Sequence, residues 1–351
     1  MRLFISATDI WGGDAVGNHC LGFVRNAKRL GFEAYAFAQN FGTETGVRPI
    51  SNLFSEMTSE DVLLVSYSIY DQFLERLLAL PGRKICYFHG VTDPQLLREF
   101  DPSTAEKCAL SAEQYPLLAQ FDELFANSIF ITHVLSSYLD INYVKILPPI
   151  FPDMPIFQHF NTPRVQSHER LNLLVVGRVV PHKRIEDAID VFAQVRAQGI
   201  DAKLSVVGST SNQPYLAFLS DRARDLGVEQ EVHFAGAVDQ ENLFRYFDEA
   251  DALLLFSRHE GFCVPVLEAM YLGLPVFVRG GTAASEVGEG AVVVFEDIAE
   301  AAQAICKMYA SSDLRLSMIQ SGQRRAKEIL SMVDDERLKT IFQASSTIHS
   351  S

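Results

Sequence analysis

The sequence has few of the features that define secreted, metal-binding or membrane-spanning proteins. It has 5 cysteines in 351 residues and no C-x-x-C pair, which argues against a disulfide framework or a zinc site. No apolar run is long enough to cross a bilayer, and the first residues lead directly into strand-like sequence rather than a signal peptide. We therefore expect a cytoplasmic protein.

Positive charge is also scarce. The 30 Lys and Arg are outnumbered by 44 Asp and Glu, which gives a formal net charge of -14. Such a surface repels a phosphate backbone, so nucleic acid is not expected as a partner. An anionic small molecule could still bind where cations are placed locally. Hydrophobic residues make up 48% of the chain, including 25 Phe, which is ample for buried cores.

Short β-rich runs alternate with helical patterns twice along the chain. This alternation predicts two doubly wound α/β domains with parallel sheets, an N-terminal domain over 1–150 and a second domain over 169–330. The proline-rich stretch 151–168 is predicted to link them, and 331–351 to form a last helix with a frayed end. Two such domains facing across a cleft would bind ligands at the carboxyl ends of their strands.

Helical periodicity predicts individual helices within this plan. The pattern is clearest over Ile185–Ala197, where apolar residues recur on one face and two acids follow the start. A helix is also predicted over Tyr70–Leu80. These helices would cover the sheets on both faces.

The most informative motif is HEGFCVPVLEAM at 259–270, which follows a predicted strand. Pro265 suits the first helical position, so Glu268 is expected in the first turn and Glu260 in the loop before it. Carboxylates accept from sugar and ribose hydroxyls, while the amides of Gly261 to Val264 could bind a charged group. The alternative is that both glutamates merely favour a helix start.

A second motif, VGRVVPHKR at 176–184, lies between a predicted strand and a helix. Arg178 and Lys183 would reach over the carboxyl edge of the sheet toward a diphosphate. One such contact is worth on the order of 4 kcal/mol before desolvation, at ~4 Å and an effective dielectric of ~20. The alternative is a solvated basic loop. The segment lacks the first glycine and the Ser/Thr of a Walker P-loop.

The loop after the first strand, WGGDAVG at 11–17, contains Gly12 and Gly13. Paired glycines let backbone approach a phosphate or a sugar closely. A nicotinamide site is rejected because the spacing is not G-x-G-x-x-G. In addition, the second strand ends at Ala38-Gln39 rather than in an acid that would hold a ribose.

His89 ends a strand in the segment FHGVTDP at 88–94 and is predicted to point into the cleft. The alternative is a histidine that only fills a strand end.

No D-x-D and no His/carboxylate cluster with metal-ligand spacing occurs, so no metal is expected. A leaving diphosphate would then be stabilised by Arg178, Lys183 and helix N-terminal amides.

Together these motifs resemble those of family-4 (GT4) retaining glycosyltransferases of the GT-B fold, in particular surface-polysaccharide and mannosyltransferase-like members. The resemblance is strong over Leu171–Phe295, where seven residues separate Glu260 from Glu268. It is moderate over Tyr87–Pro149 and thin over 1–80. In place of the usual His-Asn-Ile-Thr-Pro, this chain has His-Gly-Val-Thr-Asp-Pro.

The resemblance implies that the final helix, within 331–351, crosses back to the N-terminal domain, and it implies a role for each candidate residue. Glu260 and the amides of Gly261, Phe262 and Cys263 would bind the donor-sugar hydroxyls, and His89 would contact the donor sugar near its anomeric centre. Glu268 would bind the ribose. Arg178 and Lys183 would bind the diphosphate, and Gly12 and Gly13 would close over its phosphates.

The implied activity is metal- and cofactor-independent, retaining transfer of a sugar from a GDP- or UDP-linked donor to a glycan or lipid-linked acceptor, in cell-surface polysaccharide biosynthesis. Two alternatives stay open: a non-catalytic sugar-nucleotide-binding subunit, and a GT-B epimerase acting on a nucleotide sugar.

Peripheral contact with the inner membrane face is a further expectation, since Arg25, Lys28 and Arg29 share the polar side of the first helix. A solvated helix face explains these cations equally well.

Overall fold

The computed structural model describes residues 1–42, 46–158 and 170–343. The chain divides into two compact units, and each contains one parallel sheet covered by helices. The first unit comprises Met1–Val91, Glu106–Asp153 and Leu330–Ser351, and the second comprises Thr92–Ala105 and Met154–Ile329. The predicted doubly wound α/β class is therefore present in both units.

The first unit is built on a sheet in which β1 and β4 are central. The strands are β1 (Arg2–Ile10), β2 (Glu33–Phe41), β3 (Arg48–Pro49), β4 (Val62–Tyr67), β5 (Arg83–Phe88), β6 (Glu123–Ala126) and β7 (Val144–Ile146). They pair in parallel in the order β3-β2-β1-β4-β5-β6-β7. Every residue of β4 is buried, as expected for a strand covered on both faces. All carboxyl ends therefore lie along one edge.

The helices up to residue 135 are α1 (Ala15–Arg29), α2 (Ile50–Glu56), α3 (Leu74–Leu78), α4 (Pro102–Gln114) and α5 (Ile129–Leu135). The helix predicted over Tyr70–Leu80 is thus much shorter. Asp71 explains the late start, because its amide and carbonyl both bond the side chain of Gln114 and its carboxylate accepts from the Phe73 amide. The amide and carboxylate of Asp71 are thus bonded outside a helical ladder, and its carbonyl also accepts from the Leu74 amide at 3.1 Å, a turn-type bond that leads into the helix at Leu74.

The second unit repeats the plan with six strands. They are β8 (Leu171–Val176), β9 (Ala202–Val207), β10 (Val232–Gly236), β11 (Ala252–Leu255), β12 (Val276–Arg279) and β13 (Val293–Phe295). Their order is β10-β9-β8-β11-β12-β13, again parallel throughout. The helices are α6 (Ile185–Ala197), α7 (Gln213–Asp225), α8 (Gln240–Glu249), α9 (Val264–Tyr271), α10 (Ala283–Val287), α11 (Ile298–Ala310) and α12 (Ser312–Leu330). Helix α6 has the predicted bounds.

One segment of the N-terminal domain predicted over 1–150 belongs to the second unit instead. This segment is Thr92–Ala105. Its Phe100 ring packs against Tyr215 and Phe218 of α7, with ring centroids 5.2 and 5.5 Å apart. Aromatic packing with residues more than a hundred positions away is invisible to local sequence patterns, which explains the error.

The stretch predicted as a linker over 151–168 is packed at its start. Phe151 is buried in the first unit, 5.2 Å from the Phe23 ring, and an added Cβ on Gly22 would meet the Phe151 ring at 2.2 Å. Phe157 accepts a hydrogen bond from the Tyr271 hydroxyl in the second unit. Residues 159–169 lie outside the described part of the chain.

The last described helix, α13 (Asp335–Gln343), packs within the first unit. Arg29 of α1 pairs with Asp335 at 2.5 Å, and the Phe342 ring lies edge-on to Phe23 with centroids 6.1 Å apart. The helix is therefore anchored by a surface ion pair and by apolar burial, of which burial contributes more. The predicted frayed end, 344–351, lies outside the described residues.

Among the described residues, no helix is long and apolar enough to cross a membrane.

Gly17 in α1 fixes the loop that follows β1. A Cβ at this position would lie 2.1 Å from the carbonyl oxygen of Trp11, so the loop backbone can pack on the helix only where no side chain intervenes. Gly12 has ordinary backbone angles and no atom within 4 Å of an added Cβ. Of the two positions, Gly17 is the one that the loop geometry requires.

We expect Gly17→Ala to displace this loop and Gly12→Ala to leave it in place. The chain has 1 tryptophan, Trp11, which is half exposed, so its fluorescence reports on this loop alone. Gly17→Ala should shift the emission maximum and destabilise the protein by about 1–3 kcal/mol. Gly12→Ala is the matched control and should leave the emission maximum and the unfolding free energy unchanged. The same result in Gly17→Ala would show that the loop does not require glycine at position 17.

Candidate functional site

The loop after β8 begins with a close approach between two strand ends. Gly177 donates its amide to Val207 at 2.9 Å, and a Cβ on Gly208 would lie 2.0 Å from the Gly177 carbonyl oxygen. Gly208 also has a φ of 150°, which strongly favours glycine. This packing directs the next residue, Arg178, outward, where it is exposed at the carboxyl edge of the sheet.

A single helical turn, Pro181–Lys183, brings the loop back toward α6. The residue that joins turn and helix, Arg184, has a φ of 51°, which is uncommon for a residue with a side chain. Its guanidinium is held by Glu186 at 2.6 Å and Asp187 at 2.7 Å. These ion pairs stabilise the left-handed backbone and thereby fix the position of Lys183.

Lys183 forms an ion pair with Glu260, the first glutamate of the 259–270 motif. Its Nζ lies 2.6 Å from Glu260 Oε1, and the side chains are only 18% and 8% exposed. A backbone hydrogen bond from the Arg258 amide to the His182 carbonyl, 2.8 Å long, joins the same two loops. The two strongest motifs of the sequence therefore meet at the ends of neighbouring strands, β8 and β11.

The ion pair determines the protonation state of Glu260. Burial alone would raise the pKa of this carboxyl group, but the charge of Lys183 and its hydrogen bond outweigh burial and hold the pKa below the ordinary value. Glu260 is therefore ionised at neutral pH. An ammonium has three protons to donate, so Lys183 can bond Glu260 and an oxygen of a ligand at the same time.

Helix α9 begins at Val264, one residue earlier than expected. Pro265 is consequently its second residue, and Glu268 lies beyond the first turn, which corrects the prediction for both. Cys263 precedes the helix with a φ of 76° and is buried together with Phe262. A left-handed non-glycine residue costs about 1–3 kcal/mol, and such strain is concentrated at functional sites.

Glu268 differs from Glu260 in its surroundings. No side chain in the described part of the chain forms a hydrogen bond or ion pair with it, and burial raises its pKa to about 7. A carboxylate in this state gains from any ligand that offers hydroxyl donors, because hydrogen bonds to the charged form lower the pKa again. The site therefore has one glutamate whose pKa is lowered and one whose pKa is raised.

Gly12, Gly13 and His89 lie in the first unit. The amide of Gly13 already donates to Asn18 Oδ1 at 3.1 Å. Asp14 caps α1 and accepts from the first-turn amides at 3.2 and 3.4 Å. Donors at this helix start are thus engaged internally, and a carboxylate stands among them, which makes the loop less suited to a phosphate than its glycines suggest.

His89 directly follows β5 and continues the sheet by one hydrogen bond, from its amide to the Tyr67 carbonyl at 2.9 Å. Its Nε2 lies 2.7 Å from the hydroxyl oxygen of Ser66. The rings of Tyr87 and His19 flank it, with centroids 4.8 and 5.0 Å away. Burial lowers the pKa of His89 to about 3, so the imidazole is neutral under physiological conditions.

Sequence reasoning missed Ser66, His19 and Asn127. Ser66 is the one small polar residue in a strand otherwise made of Val, Leu and Tyr, a pattern that could have marked it. His19 points inward from α1 and is 3% exposed, but its helical position gave no functional signal. Asn127 follows β6 and donates weakly to the His89 carbonyl, at 3.4 Å. These residues belong to different elements, and only the fold brings them together.

The basic residues considered for membrane contact are largely engaged within the first unit. Arg25 pairs with Asp153, and Lys28 lies 6.0 Å above the Tyr35 ring. Arg29 is held by α13, as described above. These interactions favour the structural explanation of the basic helix face.

Within the described residues, no group of three or more His, Cys, Asp or Glu side chains is arranged to hold a metal ion.

A family model matches most of the second unit. Residues 160–325 match the family model described as glycosyl transferases group 1. Mannosylfructose-phosphate synthase of Agrobacterium fabrum is 28% identical over 151 residues, 40% of this chain and 33% of that protein. The amylovoran biosynthesis glycosyltransferase AmsK of Erwinia amylovora is 27% identical over 212 residues, 58% of this chain and 48% of that protein. The chain thus spans a third to a half of these curated relatives.

Solved structures extend the comparison to the whole fold. HepE of Anabaena, in complex with UDP and glucose, matches with a TM-score of 0.77 at 13% identity, over 98% of this chain and 100% of that chain. WaaG, a glycosyltransferase involved in lipopolysaccharide biosynthesis, matches with a TM-score of 0.69 at 15% identity over the same shares. The predicted GT-B fold and the resemblance to GT4-like glycosyltransferases are confirmed.

Glu268→Gln should stabilise the free protein at high pH. With a pKa of about 7 in the fold and 4.5 unfolded, Glu268 binds more proton in the folded state between these pH values, so its contribution to stability falls as pH rises. We expect Glu268→Gln to raise the unfolding free energy by about 1–3 kcal/mol at pH 8 and by almost nothing at pH 4.5.

Urea unfolding at both pH values measures this difference. Glu249→Gln, which changes an exposed glutamate at the end of α8, is the matched control and should leave both values unaltered. If Glu268→Gln changes stability equally at pH 4.5 and pH 8, the carboxyl group is not held in the way described.

Proposed function

We propose that this chain is a retaining glycosyltransferase that moves a sugar from a GDP- or UDP-linked donor to a hydroxyl of a glycan or lipid-linked acceptor, without a metal ion. The observation that carries the proposal is the buried Lys183–Glu260 pair at the ends of β8 and β11. A cationic group with free donors stands there beside a carboxylate that is ionised, which suits a ligand that joins a phosphate to a polyhydroxylated ring.

Each site residue then has a role that follows from its chemistry. Lys183 and the exposed Arg178 would bind the diphosphate, and Glu260 with the amides of Gly261, Phe262 and Cys263 would bind the donor sugar. Glu268 would accept from the ribose hydroxyls. Its raised pKa means that part of the binding energy is spent on ionising it, so donor affinity should rise with pH through about 7.

In the proposed reaction the bond between the anomeric carbon and the phosphate oxygen breaks, and a bond to the acceptor oxygen forms on the same face. The departing phosphate oxygen takes the proton of the acceptor hydroxyl. Lys183 and Arg178 would stabilise the negative charge that develops on this oxygen, as a metal ion does elsewhere. No nucleophile of the protein is needed, which suits a site where the Glu260 carboxylate is already bonded to Lys183.

The relatives supply context for the substrates. HepE has been solved with UDP and with UDP-glucose, and AmsK is named for amylovoran biosynthesis. These names favour a nucleotide-sugar donor and a role in cell-surface polysaccharide biosynthesis for the present chain. A cytoplasmic location with peripheral contact to the inner membrane face stays a prediction.

Removal of Lys183 tests the proposal. If Lys183 contributes ~3 kcal/mol to the transition state, Lys183→Ala should lower donor turnover by about two orders of magnitude. Lys203→Ala, which removes a half-buried lysine from β9 of the same sheet, is the matched control and should retain activity. Turnover of UDP- and GDP-sugars is measured with and without a glycan acceptor, in the presence of a chelator.

Several outcomes would contradict the proposal. Near-normal turnover in Lys183→Ala would remove the lysine from the reaction, and loss of activity with chelator would refute metal independence. Donor binding without turnover indicates a silent binding subunit, and conversion of the donor without acceptor indicates an epimerase. The urea midpoint of each variant is measured first, because Lys183→Ala also leaves the Glu260 carboxylate buried and unpaired.

A further inference from the structure

We infer that Ser66 is a positioning residue that holds the imidazole of His89 neutral with its proton on Nδ1, so that His89 offers a hydrogen-bond donor to an oxygen of the sugar substrate. The functional half of this inference rests on the proposed function, in which the chain binds a sugar substrate. The tautomer itself is a property of the free protein and is tested separately.

Two backbone constraints place the partners. Strands β4 and β5 are parallel neighbours with Tyr67 opposite Phe88, and the His89 amide extends this ladder by bonding Tyr67 at 2.9 Å. The Cα of His89 is therefore fixed to the strand that carries Ser66. The Ser66 hydroxyl is buried and lies 2.7 Å from His89 Nε2, a normal distance for a hydrogen bond.

The direction of this hydrogen bond follows from the other neighbour of Ser66. The hydroxyl also contacts the thiol of Cys20 in α1. A hydroxyl has one proton, and sulfur is a weak acceptor whereas an imidazole nitrogen is a strong one. Ser66 should therefore donate to Nε2 and accept from the thiol. A neutral imidazole whose Nε2 accepts carries its proton on Nδ1.

His19 and Tyr87, whose rings flank His89, and Cys20, whose thiol contacts Ser66, are uncharged at neutral pH. Burial lowers the pKa of both His19 and His89 and raises that of Cys20 to about 12. Burial likewise raises the pKa of Tyr87. No charged side chain from α1, β4 or β5 in the described residues is among the causes of the His89 shift, so the ring does not gain a second proton from a neighbouring carboxylate.

A ring in this state has a restricted chemistry. Its Nδ1–H can donate to a hydroxyl or ring oxygen of a carbohydrate, but with a pKa of about 3 it is a poor general base. His89 is half-buried, and its Nε2 is engaged by Ser66, so Nδ1 is the ring nitrogen left to bond a substrate. Ser66 thus determines which kind of hydrogen bond His89 offers to the substrate.

The tautomer can be observed directly by NMR of the full chain with 15N-labelled histidine. His89→Gln identifies the His89 signals among the 9 histidines. In the unaltered protein we expect a protonated Nδ1 and an unprotonated Nε2, with no change between pH 8 and pH 5. Ser66→Ala should shift the signals toward a protonated Nε2. A protonated Nε2 in the unaltered protein, or identical spectra in Ser66→Ala, would overturn the inference.

Activity provides the second arm. Ser66→Ala should lower kcat for donor turnover by about 10-fold or more while the Kd for the nucleoside diphosphate changes less than about 3-fold. Ser66→Thr keeps the hydroxyl and should restore most of the rate. Ser6→Ala is the matched control, because Ser6 is a buried serine in the neighbouring strand β1 whose hydroxyl bonds no described residue. Equal effects of Ser66→Ala and Ser6→Ala on kcat would reduce Ser66 to a packing role.

The two arms separate failure of this inference from failure of the proposed function. If the unaltered protein neither binds nor turns over a UDP- or GDP-sugar, the function is wrong, and the spectra still decide the tautomer. If turnover is observed and the spectra show a protonated Nε2, the function stands and the role of Ser66 is refuted.

Discussion

The buried ion pair between Lys183 and Glu260 is the contact on which the candidate site depends. Transfer of either charge alone into a protein interior costs several kcal/mol, and each is tolerated here because the other lies 2.6 Å away. The pair also connects the loops that follow β8 and β11. Its geometry therefore determines where the cation and the carboxylate that face a ligand can stand.

Other parts of the site are arranged at a cost to stability. Glu268 is half-buried and forms no ion pair with a described cation, and Cys263 has a left-handed backbone. Each feature destabilises the free protein by about 1–3 kcal/mol, and ligand binding is what would compensate for that loss. Local departures of this kind from ideal protein construction are expected at functional sites. The raised pKa of Glu268 and the backbone of Cys263 are therefore independent evidence that the functional site lies where the Lys183–Glu260 ion pair lies.

Much of the fold could be predicted from the sequence, because apolar strands and amphipathic helices reveal themselves in local patterns. The bounds of α6 and the order of motifs along the chain are examples. Contacts between distant segments could not be predicted. The assignment of Thr92–Ala105 to the second unit depends on Phe100 meeting α7, and the short α3 depends on Gln114 bonding Asp71.

In the site, too, residue types could be predicted from local patterns, whereas contacts between distant residues could not. Residue types and spacing singled out Arg178, Lys183, Glu260 and Glu268, yet the bond between Lys183 and Glu260 and the different ionisation of the two glutamates follow only from burial and distance. Ser66 lies in none of the motifs that the sequence revealed. Its relation to His89 arises because two parallel strands end side by side, which no local pattern encodes.

The most direct test of the central ion pair is a double-mutant cycle on the unfolding free energy with Lys183→Met and Glu260→Gln. Each single change leaves a buried polar group without its partner and should destabilise the protein by about 3 kcal/mol. The double variant should cost less than the sum of the two by about 1.5 kcal/mol or more. Strictly additive effects would contradict the account, because they would mean that the two side chains do not stabilise each other in the folded protein.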